Sequence, residues 1–336
     1  MAQPRYTQID VEATPYYHCI SRCVRRAFLC GPDRLTGRNF DHRKAWVVEK
    51  LAELADIFAI RLCAYAVLSN HFHLVLRIDA ERARAWSAAE VVERYGRLFR
   101  HAGGRWPGLA PSQAADRVAC WRARLSDPSW FMRCLNESIA RRANREDGCT
   151  GRFWEGRFRS QALLDPAGLV TCMSYVDLNP IRAGVAACLE ESEFTSIRQR
   201  LAERARESGP HAAGAQGAPR PDEPRRPDLV GFAGRGTAPG GETLPLEFDA
   251  YVDLLAATGA VVRAAGAAGA LSAPSVRTLE RLGIRSERWL ESVRGYPRRF
   301  FAMVGCVHRI AICCARTDRQ RAKGSGWAAR AFRNCA

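Results

Sequence analysis

Two apolar runs, Arg61–Leu68 and His71–Arg77, are separated only by Ser69 and Asn70. Two residues is hairpin length, so this stretch is predicted to fold back on itself as an antiparallel pair. More strands are needed to make a sheet of it, and the chain offers them. Tyr16–Ser21 (YYHCIS) is short and aromatic, and Phe158–Leu164 has strand character. Helices fall between these runs. Asp41 is placed to cap a helix reaching about Phe58, with Val47, Leu51, Leu54 and Phe58 on one apolar face. Ser87–His101 and Trp130–Arg145 are predicted as the next two helices. The second has a basic far side of Arg133, Arg141, Arg142 and Arg145, and Gly103–Pro111 reads as a loop. Asp165 followed by Pro166 is a strong start signal for a further helix, which carries Tyr175. That helix should stop near Pro180, which also biases Asn179 away from helical geometry.

At 336 residues the chain has room for about two domains, or for one domain with a long extension. Gly209–Pro245 is rich in Gly, Pro, Ala and Arg without periodicity and reads as a flexible linker, with helical signals resuming from about Leu246. The division expected is residues 1–200 as a catalytic domain, 201–245 as linker and 246–336 as a basic, mainly helical extension. Net charge is +16, and residues 276–336 hold 14 Lys plus Arg against 4 Asp plus Glu. Such an excess points to a polyanion, a nucleic acid or an anionic membrane surface. The most apolar stretch near the end, Val304–Ala315, is interrupted by His308 and Arg309 and is too short to span a bilayer. Met1–Pro15 lacks the features of an export signal, so a cytoplasmic location is expected and the 13 cysteines are expected to be thiols. Cys19, Cys23 and Cys30, or His308 with Cys313 and Cys314, are alternative zinc clusters, but their spacing is wrong for one.

Four constellations carry chemistry. Residues i and i+2 of a strand share a face, so His71 and His73 can both reach one divalent ion while Phe72 points into the opposite core. The alternative is a pair of partly exposed strand histidines. Tyr175 and Asn179 are i and i+4, on one face of a helix. A phenol placed near a metal is a nucleophile for a phosphodiester, and the Asn179 amide oxygen can be a third ligand. Alternatively, Tyr175 is a core ring and Asn179 a helix cap. Arg152, Arg157 and Arg159 alternate with Phe153, Trp154 and Phe158, a pattern suited to holding phosphates and stacking unpaired bases, or to an amphipathic strand. Arg298, Arg299, Arg319, Arg321 and Lys323 can follow a nucleic-acid backbone or form a solvated face.

Taken together, these segments resemble the HUH single-tyrosine transposases, of the REP-associated type and its long branch. The residues carrying the resemblance are Tyr17–Arg22 (YHCISR), Leu68–Leu74 (LSNHFHL), Gly151–Leu164 (GRFWEGRFRSQALL) and Tyr175–Gly184 (YVDLNPIRAG). Leu279–Gly283 and the region of Gly326 and Trp327 look like that branch's extension. The resemblance implies an α+β fold: a ferredoxin-like or RRM-like antiparallel sheet with helices on one face, plus the helical extension. It implies His71 and His73 as the metal pair for Mg or Mn, Asn179 completing the site, and Tyr175 as the nucleophile. It further implies cleavage and rejoining of single-stranded, hairpin-forming repeat DNA through a 5′-phosphotyrosine, in a nucleoid-associated enzyme that is a monomer or a homodimer. Arg152, Arg157, Arg159, Arg182, Phe153 and Trp154 are the expected DNA contacts. The competing expectations are a non-catalytic repeat-DNA or RNA binder of RRM-like fold, and an RNA-processing enzyme.

Overall fold

The computed structural model describes residues 8–24, 29–32, 37–99, 111–208, 224–234, 243–263, 271–320 and 322–333. The first part of the chain runs β1 (Tyr16–Arg22), α1 (His42–Ile57), β2 (Ile60–Val67), β3 (His71–Ile78), α2 (Ala80–Ala85) and α3 (Ala88–Leu98). Then come α4 (Pro111–Leu125), α5 (Pro128–Glu146), β4 (Arg159–Leu163), α6 (Pro166–Asp177), α7 (Asn179–Arg182) and α8 (Ser196–Glu207). Beyond these lie β5 (Phe232–Ala233), β6 (Leu244–Glu247), α9 (Phe248–Arg263), α10 (Ala273–Arg281) and α11 (Ser286–Arg294). The last elements are α12 (Tyr296–Arg299), β7 (Met303–Val304), α13 (Val307–Arg316) and α14 (Ser325–Ala331).

The fold is α+β. The hairpin forms as expected: β2 and β3 are antiparallel, with Val67 opposite Phe72. β3 pairs antiparallel with β1, and β1 with β4, giving the order β2-β3-β1-β4. That is the strand order of a ferredoxin-like sheet. A fifth strand, β7, is added parallel to β4 from the far end of the chain. It is only two residues long and closed by Gly305, so it leaves no period in the sequence.

Alternation in β1 and β3 sorts the side chains onto two faces. Phe72 looks toward α5, where Asn136 donates to the Ser21 hydroxyl, and α1 packs along α5. The expected helical layer is therefore present on this face, but helices are not confined to it as expected. The other face carries His18, His71 and His73, and α6 lies across it. α4 was absent from the sequence-based expectation. The loop expected at 103–111 lies outside the described residues except Pro111, which opens α4. Most of the segment read as linker also lies outside them. Its described parts are ordered against the sheet: α8 continues to Glu207, and the Val230 N–H donates to the Leu62 carbonyl at 2.8 Å. Among the described residues no helix is long and apolar enough to cross a membrane.

Helix α6 is fixed at both ends. At its start Asp165 accepts from the Gly168 N–H at 2.7 Å and, with its other oxygen, from the Cys306 N–H at 2.5 Å, so one carboxylate caps the helix and ties it to β7. Gly168 permits this approach, because a Cβ there would lie 2.5 Å from the Val304 carbonyl oxygen. At its end Asp177, fully buried, accepts from the Ser196 hydroxyl, the Ile197 N–H and the Tyr251 hydroxyl. Asp165→Ala removes the cap and leaves a buried N–H unpaired. It is expected to destabilise the chain by about 2–4 kcal/mol in urea unfolding. A loss below about 0.5 kcal/mol would show that the carboxylate does not hold the helix.

Candidate active site

Cross-strand register builds the site. Ile20 pairs with His73, Arg22 with His71, and His18 with Gln161. His18, His71 and His73 thus share a face, under the helix that carries Tyr175. The Tyr175 ring meets His73 edge-on with centroids 5.4 Å apart, and the His71 and His73 rings are 4.8 Å apart. Asn179 brings its amide nitrogen to 3.2 Å from His73 Nε2. α6 ends at Asp177, and Pro180 sits in the first turn of α7, so Asn179 starts a new turn instead of leaving the helix altogether. Arg182 lies over the Tyr175 ring at 4.5 Å.

The hydrogen bonds of Gln161 assign the protons on His18 and His73. The Gln161 amide nitrogen donates to the Phe300 carbonyl at 3.2 Å and also to that of Phe301. Its oxygen is therefore the atom facing His18 Nδ1 at 2.6 Å, and it can only accept. His18 Nδ1 must carry the proton, which leaves His18 Nε2 as an acceptor. His73 Nδ1 lies 3.0 Å from that atom and must donate to it. His73 Nε2 then carries no proton, and its lone pair accepts from the Asn179 amide nitrogen 3.2 Å away. His71 Nδ1 lies 2.5 Å from the Asn70 amide oxygen, which accepts, and with the proton on Nδ1 its own Nε2 is unprotonated. Both Nε2 atoms are therefore unprotonated, as outer-shell bonding arranges at metal sites, and turning the Asn179 amide frees that of His73 for a ligand.

Burial favours the neutral rings. It lowers His18 to about 4, and with the Arg22 charge it lowers His71 to about 4. His73 is lowered well below its ordinary value by burial and by the neighbouring histidines and arginines. Each folded value lies below the unfolded one near 6.5, so unfolded chain takes up protons first as pH falls. Stability carried by these rings is complete above about 6.5 and lost as pH drops toward 4. Asp177 opposes this, because burial raises it to about 6 and its contribution is lost as pH rises through that value. Three histidines outweigh one carboxylate. Urea unfolding at pH 4.5 should therefore show at least about 3 kcal/mol less stability than at pH 7. Equal stability at the two values would mean that the rings are not held neutral.

Tyr175 is 5% exposed. Burial pushes its phenol above the ordinary value, and the Arg182 charge and hydrogen bond, with a smaller contribution from Asn179, pull it back. Its other face stacks on Tyr296 at 4.5 Å and 16°. Two cavities meet at Tyr175. One of about 310 Å³ contains His71, His73, Arg22, Arg157 and Arg159, together with Glu155.

Of the expected site residues, Tyr175, His71, His73, Asn179 and Arg182 converge, with Arg157 and Arg159 on the cavity wall. Arg152 is exposed and donates to the Trp154 carbonyl at 2.8 Å. Phe153 and Trp154 are placed differently from expectation. Trp154 packs edge-on against Phe72 and Phe153, and its indole N–H donates to the Asn136 carbonyl. Their ring faces are thus committed to the core on the α5 side, because the alternation that sends the histidines one way sends Phe72 the other. His18, Gln161 and Tyr296 belong to the site and were not expected there.

The donor set suits a hard or borderline divalent ion: two neutral imidazoles with unprotonated Nε2 atoms, and an amide whose turning would free that of His73 and bring an oxygen toward them. Among the described residues no group of three His, Cys, Asp or Glu side chains is placed to hold a metal, so the amide, phosphate oxygens or water must supply the other ligands. No disulfide joins the described cysteines.

No family model matches the chain, and no curated protein does. A solved structure of a REP-associated tyrosine transposase bound to a REP hairpin is similar to part of it, with 10% identity over 56% of this chain and 81% of that chain. The TM-score is 0.31, a likeness too distant to fix either fold or function.

Proposed function

We propose that this chain is a metal-dependent endonuclease and strand transferase of the HUH single-tyrosine type, acting on single-stranded DNA that carries hairpin-forming repeats. The observation that carries it is the convergence of Tyr175 on two histidines whose outer bonds leave both Nε2 atoms unprotonated, with the Asn179 amide against that of His73. His71, His73 and, with its amide turned, the Asn179 oxygen would hold a Mg or Mn ion, which would supply positive charge to polarise the scissile phosphate.

This chain's own residues do the rest. Arg157 and Arg159 hold the phosphate in the cavity beside Tyr175. Arg182 draws the phenol toward ionisation against the effect of burial. Tyr175 Oη attacks phosphorus as its proton passes to water, which in turn supplies the proton for the leaving oxygen. The bond from phosphorus to the 3′-oxygen breaks, that oxygen takes up a proton, and a 5′-phosphotyrosine remains. Attack by another 3′-OH reverses the step and joins strands without an outside energy source. Residues 1–200 supply the histidines and the tyrosine, and 246–336 act as an extension built against them. The expected setting is the bacterial nucleoid.

The stacking of Tyr296 on Tyr175 favours a second reading, a binder of repeat DNA whose tyrosine is only a core ring. Incubating the full chain with labelled single-stranded hairpin DNA and Mn, followed by a denaturing gel, separates the two. A DNA-linked protein band supports the enzyme. Binding on a native gel with no covalent band at any metal concentration rejects it.

A further inference from the structure

The second cavity at Tyr175 has about 500 Å³ and lies on the side away from His71 and His73. Its walls are aromatic: Phe158 from the approach to β4, then Tyr296, Phe300 and Phe301 from the C-terminal segment. Arg157, Arg159, Ile20 and Pro297 belong to both cavities, as does Tyr175 itself. A strand whose phosphate sits against the histidines therefore has an adjoining aromatic slot one step along, with two guanidinium groups at the shared edge.

We propose that this slot receives one unpaired nucleobase, that of a nucleotide flanking the phosphodiester that Tyr175 attacks. The inference rests on the function proposed above and gives the extension a role in it, since the extension builds one half of the slot. Charge complementarity and continuity with the phosphate cavity identify the occupant as single-stranded DNA: planar rings stack on aromatic faces, and the arginines suit the backbone beside them. The slot is built for stacking more than for reading. The Gln161 amide at its base is spent on His18 and on the Phe300 and Phe301 carbonyls. The polar groups at its rim, Ser160 and Gln8, lie 3.4 Å from each other. Occupancy should therefore depend on the presence of a base far more than on its identity.

Ala302 lines the slot and is exposed, so Ala302→Trp fills the space without entering the core. Phe301 is half-buried, and Phe301→Ala empties one wall. The probe is a hairpin oligonucleotide with single-stranded tails in which thymine is replaced by 5-iodouracil. It is irradiated on the full-length chain, digested and mapped, and its affinity is measured by anisotropy. Wild-type protein should give adducts on peptides containing Tyr296, Phe300 or Phe301. Ala302→Trp and Phe301→Ala should lose those adducts and bind about fivefold or more weakly. Adducts confined to other peptides, or wild-type affinity in both variants, would overturn the slot. Failure to bind the probe at all removes both the slot and the proposed function. Normal adducts without a phosphotyrosine band would remove the catalysis and leave the slot standing as part of a binder.

Discussion

Tyr175→Phe is expected to lose covalent capture of DNA by at least about 10³-fold while binding the same hairpin within about twofold of wild type. The size of the first effect follows from the chemistry, since the missing atom is the one that bonds to phosphorus and nothing else in the cavity is a phenol within reach of both histidines. The small second effect follows from packing. The ring itself is what stacks on Tyr296, lies under Arg182 and meets His73 edge-on, and phenylalanine keeps all three contacts. Removing the hydroxyl gives up its hydrogen bonding to Arg182 and Asn179, so thermal unfolding should show a loss of no more than about 1–2 kcal/mol. A denaturation-resistant DNA adduct in the Phe variant would dismiss Tyr175 as the nucleophile. A loss of binding together with a larger loss of stability would show instead that the hydroxyl is structural. Tyr296 is the obvious competitor, with its ring only 4.5 Å away, but burial pushes its phenol well above the ordinary value and no arginine is among the influences drawing it back.

The frame of this site was legible because its signals are local. A two-residue gap makes a hairpin, alternation puts His71 and His73 on one face, and Asp165 with Pro166 opens the helix that carries Tyr175. What stayed hidden depends on register between distant segments. His18 lies in a strand visible in the sequence, yet nothing in YYHCIS says that it will bond to His73, because that contact is set by Ile20 facing His73 across the sheet. Gln161 matters only through the Phe300 and Phe301 carbonyls, 139 and 140 residues away. β7 and the roof over Tyr175 come from the same late segment, which composition marks only as basic. Phe153 and Trp154 show the reverse error: alternating cations and rings looked like a nucleic-acid surface, but both rings are buried, with Trp154 against Phe72 and its indole N–H on the Asn136 carbonyl. α4 was within reach, since Val118, Trp121 and Leu125 keep a helical spacing in a stretch otherwise polar.

His71→Ala combined with His73→Ala is expected to reduce cleavage by at least about 10²-fold at every Mg or Mn concentration, with hairpin binding retained. The singles should not behave alike. His71 is half-buried and bonds to the half-buried amide of the adjacent Asn70, so His71→Ala leaves behind an amide that water can reach, and high Mn should recover part of the activity. His73 is fully enclosed between His18 Nε2 and the Asn179 amide. Its removal strands a buried acceptor and a buried donor together and breaks the line of bonds that runs from the Phe300 carbonyl to Asn179. His73→Ala should therefore cost about 1–3 kcal/mol of stability beyond its effect on cleavage. Titration of Mn by electron paramagnetic resonance separates the two roles without relying on turnover. Weak binding should persist in His71→Ala and vanish in the double variant. Unchanged Mn binding in the double variant would move the metal away from these imidazoles, and with it the reason for both Nε2 atoms to be kept unprotonated.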